Sequence, residues 1–358
     1  MRRSILCLIL ALCLMLSGCG NWMDGNYVSI SPHQAQLTDV QSGTVSASDY
    51  MELLDVLTSL VDSGTETAVI NVADYDQATV EIGMATAVRY LRNIYPLGAY
   101  AIERVDYEIG TGGGKPAISV NISYLHGRSE IRKIQKVADM DGARSKIGEA
   151  LEDCEPGVVI QVANYKAFDV AQFVEDYAEQ YPDIVMEVPQ VAVGNYPDVG
   201  VTRILELSFT YQSSRDVLRQ MQDQVGPYFE AASLYVSGGG SDGQKYAQLY
   251  AFLMERYDYK IETSLTPAYS LLCYGVGDSE AFACVYARMC RQAGLECEVI
   301  TGTRAGEPWF WNMVCDNGTY YHVDLLRSND EGGYWERTDA GMEGYVWDYS
   351  AYASSQMP

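Results

Sequence analysis

The sequence has 358 residues, of which 48% are hydrophobic, and it carries 24 basic against 48 acidic residues, a formal net charge of -24. The field of so acidic a surface repels nucleic acid and anionic lipid headgroups, which argues against both as partners. A chain of this length and hydrophobic content can bury two or three cores.

The first residues, MRRSILCLILALCLMLSGCG, have the pattern of a bacterial export signal. Two arginines precede an apolar run from Ile5 to Leu16, shorter than the roughly 20 residues that a membrane-spanning helix needs. The ending Leu16-Ser17-Gly18-Cys19 resembles the lipobox of bacterial lipoproteins, which implies cleavage after residue 18 and diacylation of Cys19. The alternative is an ordinary cleaved signal with an incidental cysteine. We therefore predict a lipid-anchored protein that faces outward from the cell membrane.

Cleavage would remove Arg2 and Arg3 and leave 22 basic residues against 48 acidic ones, a net charge of -26. Six cysteines would remain beyond the anchor: Cys154, Cys273, Cys284, Cys290, Cys297 and Cys315. They form no C-x-x-C pair, and the three histidines are scattered, so the sequence predicts neither a metal site nor a cofactor. Disulfides are permitted outside the cell, but spacing alone does not pair these thiols.

Residues 20 to about 45 are polar and aperiodic, and we interpret them as a tether. Order is predicted to begin at Ser48, as the cap of a helix with one apolar face. The apolar positions of that helix are Met51, Leu54, Leu57, Leu60 and Val61.

A pattern then occurs twice. AVINVADYD at 68–76 matches VVIQVANYK at 158–166, and an amphipathic helix that stops at Tyr-Pro follows each copy, at Tyr95-Pro96 and Tyr181-Pro182. The apolar positions of the two helices are Val80, Met84, Val88 and Leu91, and Val170, Phe173, Val174 and Tyr177. Two alternating strands and a helix complete each copy. We predict two tandem β-α-β-β-α modules of roughly 85 residues each.

A glycine cluster in the first hairpin, IGTGGGKPA at 109–117, has some likeness to a phosphate-binding loop. Ile109 stands where the first glycine belongs, and Pro116 follows Lys115, so the required G-x-x-x-x-G-K-[ST] is absent. A flexible hairpin turn is the better interpretation.

The last part of the chain has a different order of elements. The pattern from about residue 244 predicts three helices and then three antiparallel strands, Leu295–Thr301, Trp309–Cys315 and Thr319–Leu325. DNG at 316–318 is a strong hairpin signal between the last two strands. The helix after GVGD is expected to bury Phe282, Val285, Met289 and Cys290.

Several segments in this order resemble the transglutaminase-like superfamily, whose fold packs a nucleophile helix on a sheet. They are SEAFA after a glycine turn, CRQAGLECEVITG, WFWNMV, YYHVD and GYVWDYSAY at 344–352. The resemblance covers roughly residues 226–358. It implies acyl transfer by a cysteine, a histidine and an aspartate.

The resemblance places Ser279 at the cysteine position, Trp309 at the histidine position and Asp324 at the aspartate position. Two of the three catalytic groups are therefore replaced, and an indole has no basic nitrogen. Alternatively, the match is shifted by a residue or two, and Trp309 and Trp311 are ordinary strand aromatics. Asp324 is expected to persist for structure.

His322, the one histidine in this part of the chain, is a possible substitute base, because it lies two residues before Asp324 on the same predicted strand face. Cys284 lies five residues past Ser279, which on a helix turns it about 140° away from the nucleophile position. Cys273 precedes the turn and is expected to be packed or exposed in a loop. Neither thiol is predicted to replace the nucleophile.

The sequence thus predicts an α+β protein in five parts: signal 1–18, tether 19–47, modules 48–140 and 141–225, and a transglutaminase-like domain 226–358. Two functions stay open. The domain is either catalytically degenerate and binds an extracellular peptide, protein or glycan, or it is a hydrolase or acyltransferase that uses Ser279 with His322 and Asp324.

Overall fold

The computed structural model describes residues 45–72, 75–112, 115–236, 238–261 and 264–352. The predicted signal, Cys19 and nearly all of the predicted tether lie outside these residues. The described chain mixes helices and strands, which confirms the α+β class. It divides into two compact units, one of the described residues up to 133 with 196–200, the other of residues 134–195 with 201–352. No helix among the described residues is long and apolar enough to cross a membrane.

The first unit contains a four-stranded sheet with helices. Its elements are β1 Val45–Ser46, α1 Tyr50–Ser63, β2 Thr67–Asn71, α2 Gln77–Asn93, α3 Pro96–Ala101, β3 Ile102–Gly112, β4 Lys115–Tyr124 and α4 Arg128–Ile131. The strand order is β1-β2-β4-β3. Strands β3 and β4 are antiparallel neighbours with Gly112 opposite Lys115, so the described residues of the glycine cluster belong to a hairpin, as predicted.

Helix α1 differs from its prediction. Asp49, not Ser48, is the N-cap, and its carboxylate accepts a hydrogen bond from the Glu52 amide at 2.8 Å. Leu57 and Val61 of the predicted face are buried, together with Leu53, which was not predicted, whereas Met51 is exposed. The predicted apolar face of α2 is buried at all four positions.

The second unit begins with a sheet in the order β5-β6-β8-β7. Its elements are β5 Gln135–Val137, α5 Met140–Glu152, β6 Gly157–Val162, α6 Val170–Gln180, β7 Gln190–Tyr196 and β8 Arg203–Thr210. The two sheets have the same pairing. β1 is parallel to β2 and β5 is parallel to β6, whereas β2 is antiparallel to β4 and β6 is antiparallel to β8.

The tandem modules therefore need a correction in their order of elements. In each sheet, a short strand and a helix precede the strand of the repeated segment. They are β1 and α1 before β2, and β5 and α5 before β6, and the predicted module pattern did not include them. The helices predicted to close the modules are unequal, since α4 has four residues and α7 Arg215–Tyr235 has 21. The module boundaries 48–140 and 141–225 stay a prediction.

The remaining elements of the second unit are α8 Asp242–Met254, β9 Asp258–Tyr259, α9 Pro267–Tyr274, β10 Val276–Gly277, α10 Ser279–Gln292, β11 Cys297–Arg304, β12 Glu307–Asp316, β13 Thr319–Val323, α11 Leu325–Asp330 and β14 Tyr345–Trp347. The antiparallel sheet has the order β13-β12-β11-β14. The predicted hairpin lies between β12 and β13, where Asn317 and Gly318 have φ of 51° and 78°. Both values suit an Asn-Gly turn.

Helix α10 is the centre of the largest core. Phe282, Val285, Met289 and Cys290 are buried, as predicted, against α7, α8, α9 and the sheet. Asn312 of β12 donates from its amide to the Ala283 carbonyl at 2.9 Å, which fixes the helix on the sheet. A second apolar cluster of Ile300, Trp311, Met313 and Trp347 covers the opposite face.

Candidate functional site

The predicted nucleophile position lies at the first residue of α10. A short parallel ladder of β10 with β9 precedes it, and Asp278 caps the helix by accepting a hydrogen bond from the Ala281 amide at 3.0 Å. Ser279 is only 7% exposed, and its hydroxyl oxygen accepts from the Phe310 amide at 3.4 Å. The nucleophile helix thus meets β12 beside Trp309.

Trp309 does not supply a base. Its indole Nε1–H donates to Asp324 Oδ2 at 2.9 Å, and a tryptophan nitrogen has no acceptor lone pair. The Arg304 guanidinium lies 5.0 Å from the centre of the Trp309 ring, and the Tyr259 ring lies 5.7 Å away. The indole side chain therefore cannot accept a proton from Ser279.

Asp324 is tied to four elements of the domain. It is 1% exposed, lies one residue beyond β13 and caps α11, because Oδ1 accepts from the amides of Leu326 and Arg327 at 3.0 and 3.1 Å. Its Oδ2 accepts from Trp309 and from the Tyr345 hydroxyl, the latter at 2.5 Å. Arg304 forms an ion pair with Oδ2 at 3.6 Å. A carboxylate in this position organises β11, β12, β14 and α11.

The carboxylate also affects Tyr345. Burial raises the pKa of the Tyr345 hydroxyl well above its usual value, and the adjacent negative charge of Asp324 raises it further. The hydroxyl therefore stays protonated and remains a donor to Asp324 at neutral pH. Sequence reasoning found neither Tyr345 nor Arg304 as a member of the site. The segment GYVWDYSAY pointed to the strand of Tyr345, but not to this hydrogen bond.

His322 is fully buried, and both of its ring nitrogens have partners. Nδ1 accepts from the Trp311 indole at 3.0 Å, and Nε2 lies 3.1 Å from Asp339 Oδ1. Burial lowers the pKa of the imidazole despite the nearby Asp339. A neutral ring with its proton on Nε2 satisfies both contacts. Trp311 and Trp347 pack around the ring, in the cluster on the sheet face away from α10.

The predicted common face of His322 and Asp324 stays a prediction, because Asp324 lies one residue beyond β13, where its carboxylate caps α11. Near the start of β12, the structure joins Trp309 to Asp324 by a hydrogen bond and joins Ser279 to the amide of the next residue, Phe310. It does not bring His322 into hydrogen-bond contact with Ser279 or Asp324.

The two thiols near the site, Cys284 and Cys273, have raised pKa values, which disfavour the thiolate. Burial raises the pKa of the Cys284 thiol well above its usual value, and the charges of Glu179 and Glu280 add to the effect. Burial also raises the pKa of Cys273. All six cysteines of the described residues are free thiols, and no group of acidic, histidine or cysteine side chains there has the arrangement of a metal site.

Comparison with known proteins identifies a transglutaminase-like domain in the chain. Residues 230–325 match the model of the transglutaminase-like superfamily. None of the curated proteins compared with the chain matches it in sequence.

Several solved structures are similar to parts of the chain. A transglutaminase crystal structure has 12% identity and a TM-score of 0.27, over 47% of this chain and 50% of that one. A candidate cysteine protease from Cytophaga hutchinsonii has 12% identity and a TM-score of 0.26, over 44% of this chain and 70% of that one. A candidate protease from Parabacteroides distasonis has 10% identity and a TM-score of 0.23, over 60% of this chain and 47% of that one.

Proposed function

We propose that this chain is a lipid-anchored protein of the outer cell surface whose transglutaminase-like domain does not catalyse. In this proposal the domain binds an extracellular peptide, protein or glycan. One observation carries the loss of catalysis: an indole that donates to Asp324 stands at the position of the general base. The sequence pattern from Arg2 to Cys19 supports the anchor.

Without a base, Ser279 is a weak nucleophile. A serine hydroxyl becomes nucleophilic when a neighbouring group accepts its proton, and a helix N-terminus alone does not perform that step. The serine oxygen itself accepts a hydrogen bond from Phe310. Removal of a single triad member already reduces catalysis to a residual level, and members that act as a unit are not additive.

The alternative is a serine enzyme that uses His322 and Asp324. Against it stand the contacts of His322 with Trp311 and Asp339, which engage both ring nitrogens. The carboxylate of Asp324 is also occupied by donors other than a histidine. In such an enzyme, His322 would have to give up at least one of these two contacts to accept a proton from Ser279.

A labelling experiment tests the proposal. A fluorophosphonate probe, which reacts with activated serine hydroxyls, is incubated with the purified protein and with Ser279→Ala, and Ser233→Ala serves as a matched control on α7. Turnover of generic amide and ester substrates is measured on the same proteins. We expect no labelling at residue 279 and no turnover that depends on it. Labelling or turnover that disappears only in Ser279→Ala would establish the serine enzyme instead.

A further inference from the structure

A groove runs along α6 beside the Ser279 helix, and its α6 side lies outside the residues that match the superfamily. One cavity, of about 450 Å³, lies between α6 with the segment after it and residues of α9, α10 and β12. A second cavity, of about 980 Å³, continues along α6 toward β11. Both share Gln172, Asp176, Glu179 and Thr301, so they form one continuous depression, which we call the α6 groove.

The floor of the first cavity is apolar. Val185 and Met186 contribute from the segment after α6, Ala268 from α9, Cys284 from α10 and Phe310 from β12. Phe310 is also the residue whose amide donates to Ser279. A ligand in the α6 groove would therefore pass directly beside the former nucleophile position.

The walls of the α6 groove are acidic. Glu175, Asp176 and Glu179 line the first cavity from α6, and Glu280 lines it from α10, without a basic side chain among the lining residues. Glu296 and Glu298 add two carboxylates in the second cavity. Its basic residue, Arg291, donates to the carbonyls of Gln180 and Cys297, and its charge offsets part of the negative charge around Glu179.

Two of these carboxylates lie where negative charge is unfavourable. Burial raises the pKa of Glu179 to about 7, and the charges of Asp176 and Glu280 add to the effect. Desolvation of its carboxyl group and the negative charge of Asp278 raise the pKa of Glu280. A cation bound between the two walls would offset both effects, because an opposite charge favours the ionised carboxylate.

From this charge complementarity we infer that the α6 groove binds an extended peptide segment that carries lysine or arginine. The long aliphatic stem of either side chain suits the apolar floor, and its charged head suits the acidic walls. The second cavity brings the groove beyond the 300 to 1,000 Å³ of typical small-molecule sites, which favours a chain over a small amine. This inference rests on the proposed binding function, for which it names a ligand class.

Fluorescence anisotropy with labelled decapeptides of varied sequence tests the inference, at about 150 mM salt so that long-range attraction to the acidic protein is screened. Each peptide carries two lysines or arginines, and its partner replaces them with acetyl-lysine or citrulline. We expect the basic peptides to bind and the neutral partners to bind at least tenfold more weakly. Glu179→Gln combined with Glu280→Gln is expected to weaken the basic peptides by roughly tenfold.

Two control variants test whether peptide binding depends on the α6 groove or on the net charge of the protein. Competition by spermidine tests whether a small amine binds as well as the peptide. Glu230→Gln combined with Glu343→Gln removes the same two charges from exposed positions outside the groove and is expected to leave the affinity unchanged. Thr301→Arg places a cation where the cavities join and is expected to weaken binding without removing an acid. Equal losses in the two double variants, or competition by spermidine as strong as by the peptide, would overturn the inference.

The peptide-binding and labelling experiments distinguish a failure of the groove inference from a failure of the proposed function. Absence of binding by all the basic peptides would overturn the inference. If Ser279 also stays unlabelled, the proposal of a non-catalytic domain would stand, and its ligand would lie in another chemical class. Ser279-dependent turnover would overturn the proposed function whatever the peptides do.

Discussion

Trp309 donates its indole N–H to Asp324 across 2.9 Å, from the position of the family's histidine to the position of its aspartate. A hydrogen bond between two triad positions is thus present, but its donor has no basic nitrogen. Arg304 places a positive charge beside the Trp309 ring and the Asp324 carboxylate. Asp324 therefore stabilises the fold independently of any catalysis, and its contribution to the free energy of unfolding can be measured.

Replacement of Asp324 by alanine is expected to destabilise the domain by about 3–5 kcal/mol, because it leaves the buried Tyr345 hydroxyl, the Trp309 N–H and two α11 amides without their acceptor. Asp324→Asn keeps one acceptor oxygen and is expected to cost less. Urea unfolding followed by fluorescence measures both. Asp223→Ala, at an exposed position of α7, is the control and is expected to lie within about 0.5 kcal/mol of the unmodified protein. A similar stability of Asp324→Ala and the control would contradict this role.

Restoring the family's groups tests the correspondence of positions. Ser279→Cys alone is expected to place a thiol at a helix N-terminus without a proton acceptor, because the indole of Trp309 has no basic nitrogen. Ser279→Cys with Trp309→His supplies an imidazole that Asp324 can orient. We expect the double variant to react faster with iodoacetamide at residue 279, by tenfold or more, because a neighbouring imidazolium favours the thiolate.

Peptide mass spectrometry after timed alkylation identifies the modified residue, and the buried Cys284 serves as an internal control in every sample. Trp309→Phe combined with Ser279→Cys removes the indole without adding a base. Equal rates in the histidine and phenylalanine variants would show that space, not a proton acceptor, limits the reaction.

His322 is expected to make stability depend on acidity. The pKa of His322 in the folded protein lies below its value of about 6.5 in the unfolded chain. At pH values between these two pKa values, the unfolded chain therefore binds more protons than the folded protein. Its contribution is therefore complete above about pH 6.5 and is lost as pH falls through the folded pKa. His322→Gln is expected to be less stable than the unmodified protein at pH 8, and the gap is expected to narrow at pH 5. Urea midpoints across this range provide the measurement, and a gap that widens on acidification would contradict the neutral assignment.

Glu179 is expected to act in the opposite direction. Its folded pKa of about 7 lies above the usual value of 4.5, so the folded state binds more protons between them. The contribution of Glu179 to the free energy of unfolding is therefore complete below about pH 4.5 and is lost as the pH rises through 7. Glu179→Gln is expected to stabilise the protein by about 1–2 kcal/mol at pH 8 and to have little effect at pH 5. The control Glu230→Gln is expected to change little at either pH.

The anchor is tested at Cys19. Cys19→Ala is expected to abolish lipidation, because the modified thiol is absent, and to move the protein from the membrane fraction to soluble or unprocessed forms. Fractionation with an antibody and mass spectrometry of the N-terminal peptide measure the two effects. Cys13→Ala, inside the apolar run, is the matched control and is expected to leave both unchanged. An unmodified N-terminal peptide in the starting protein would end the lipoprotein interpretation.

The sequence by itself determined the elements whose causes are local. The apolar spacing of α2 and α10, the Asn-Gly turn before β13 and the succession of three helices, α8 to α10, before three strands, β11 to β13, are present as predicted. The short strands β9 and β10, helix α11 and strand β14 were not predicted. Period and turn chemistry act within a few residues, so they are visible in a single segment. The same locality explains the errors. β1 and β5 have two and three residues, too few for a periodic signal, and they pair through contacts with distant strands.

Only the tertiary structure decided the chemistry of the site. Ser279, Trp309 and Asp324 could be located by resemblance, but the hydrogen bonds of Asp324 to Tyr345 and Trp309 depend on how four elements meet. The position of His322 between Trp311 and Asp339 could not be predicted, because these partners lie 11 and 17 residues away along the chain. The α6 groove likewise joins Glu179 to Glu280, whose proximity comes from the packing of α6 near α10. Burial and partners fix what a polar side chain can do, and both are properties of the folded chain.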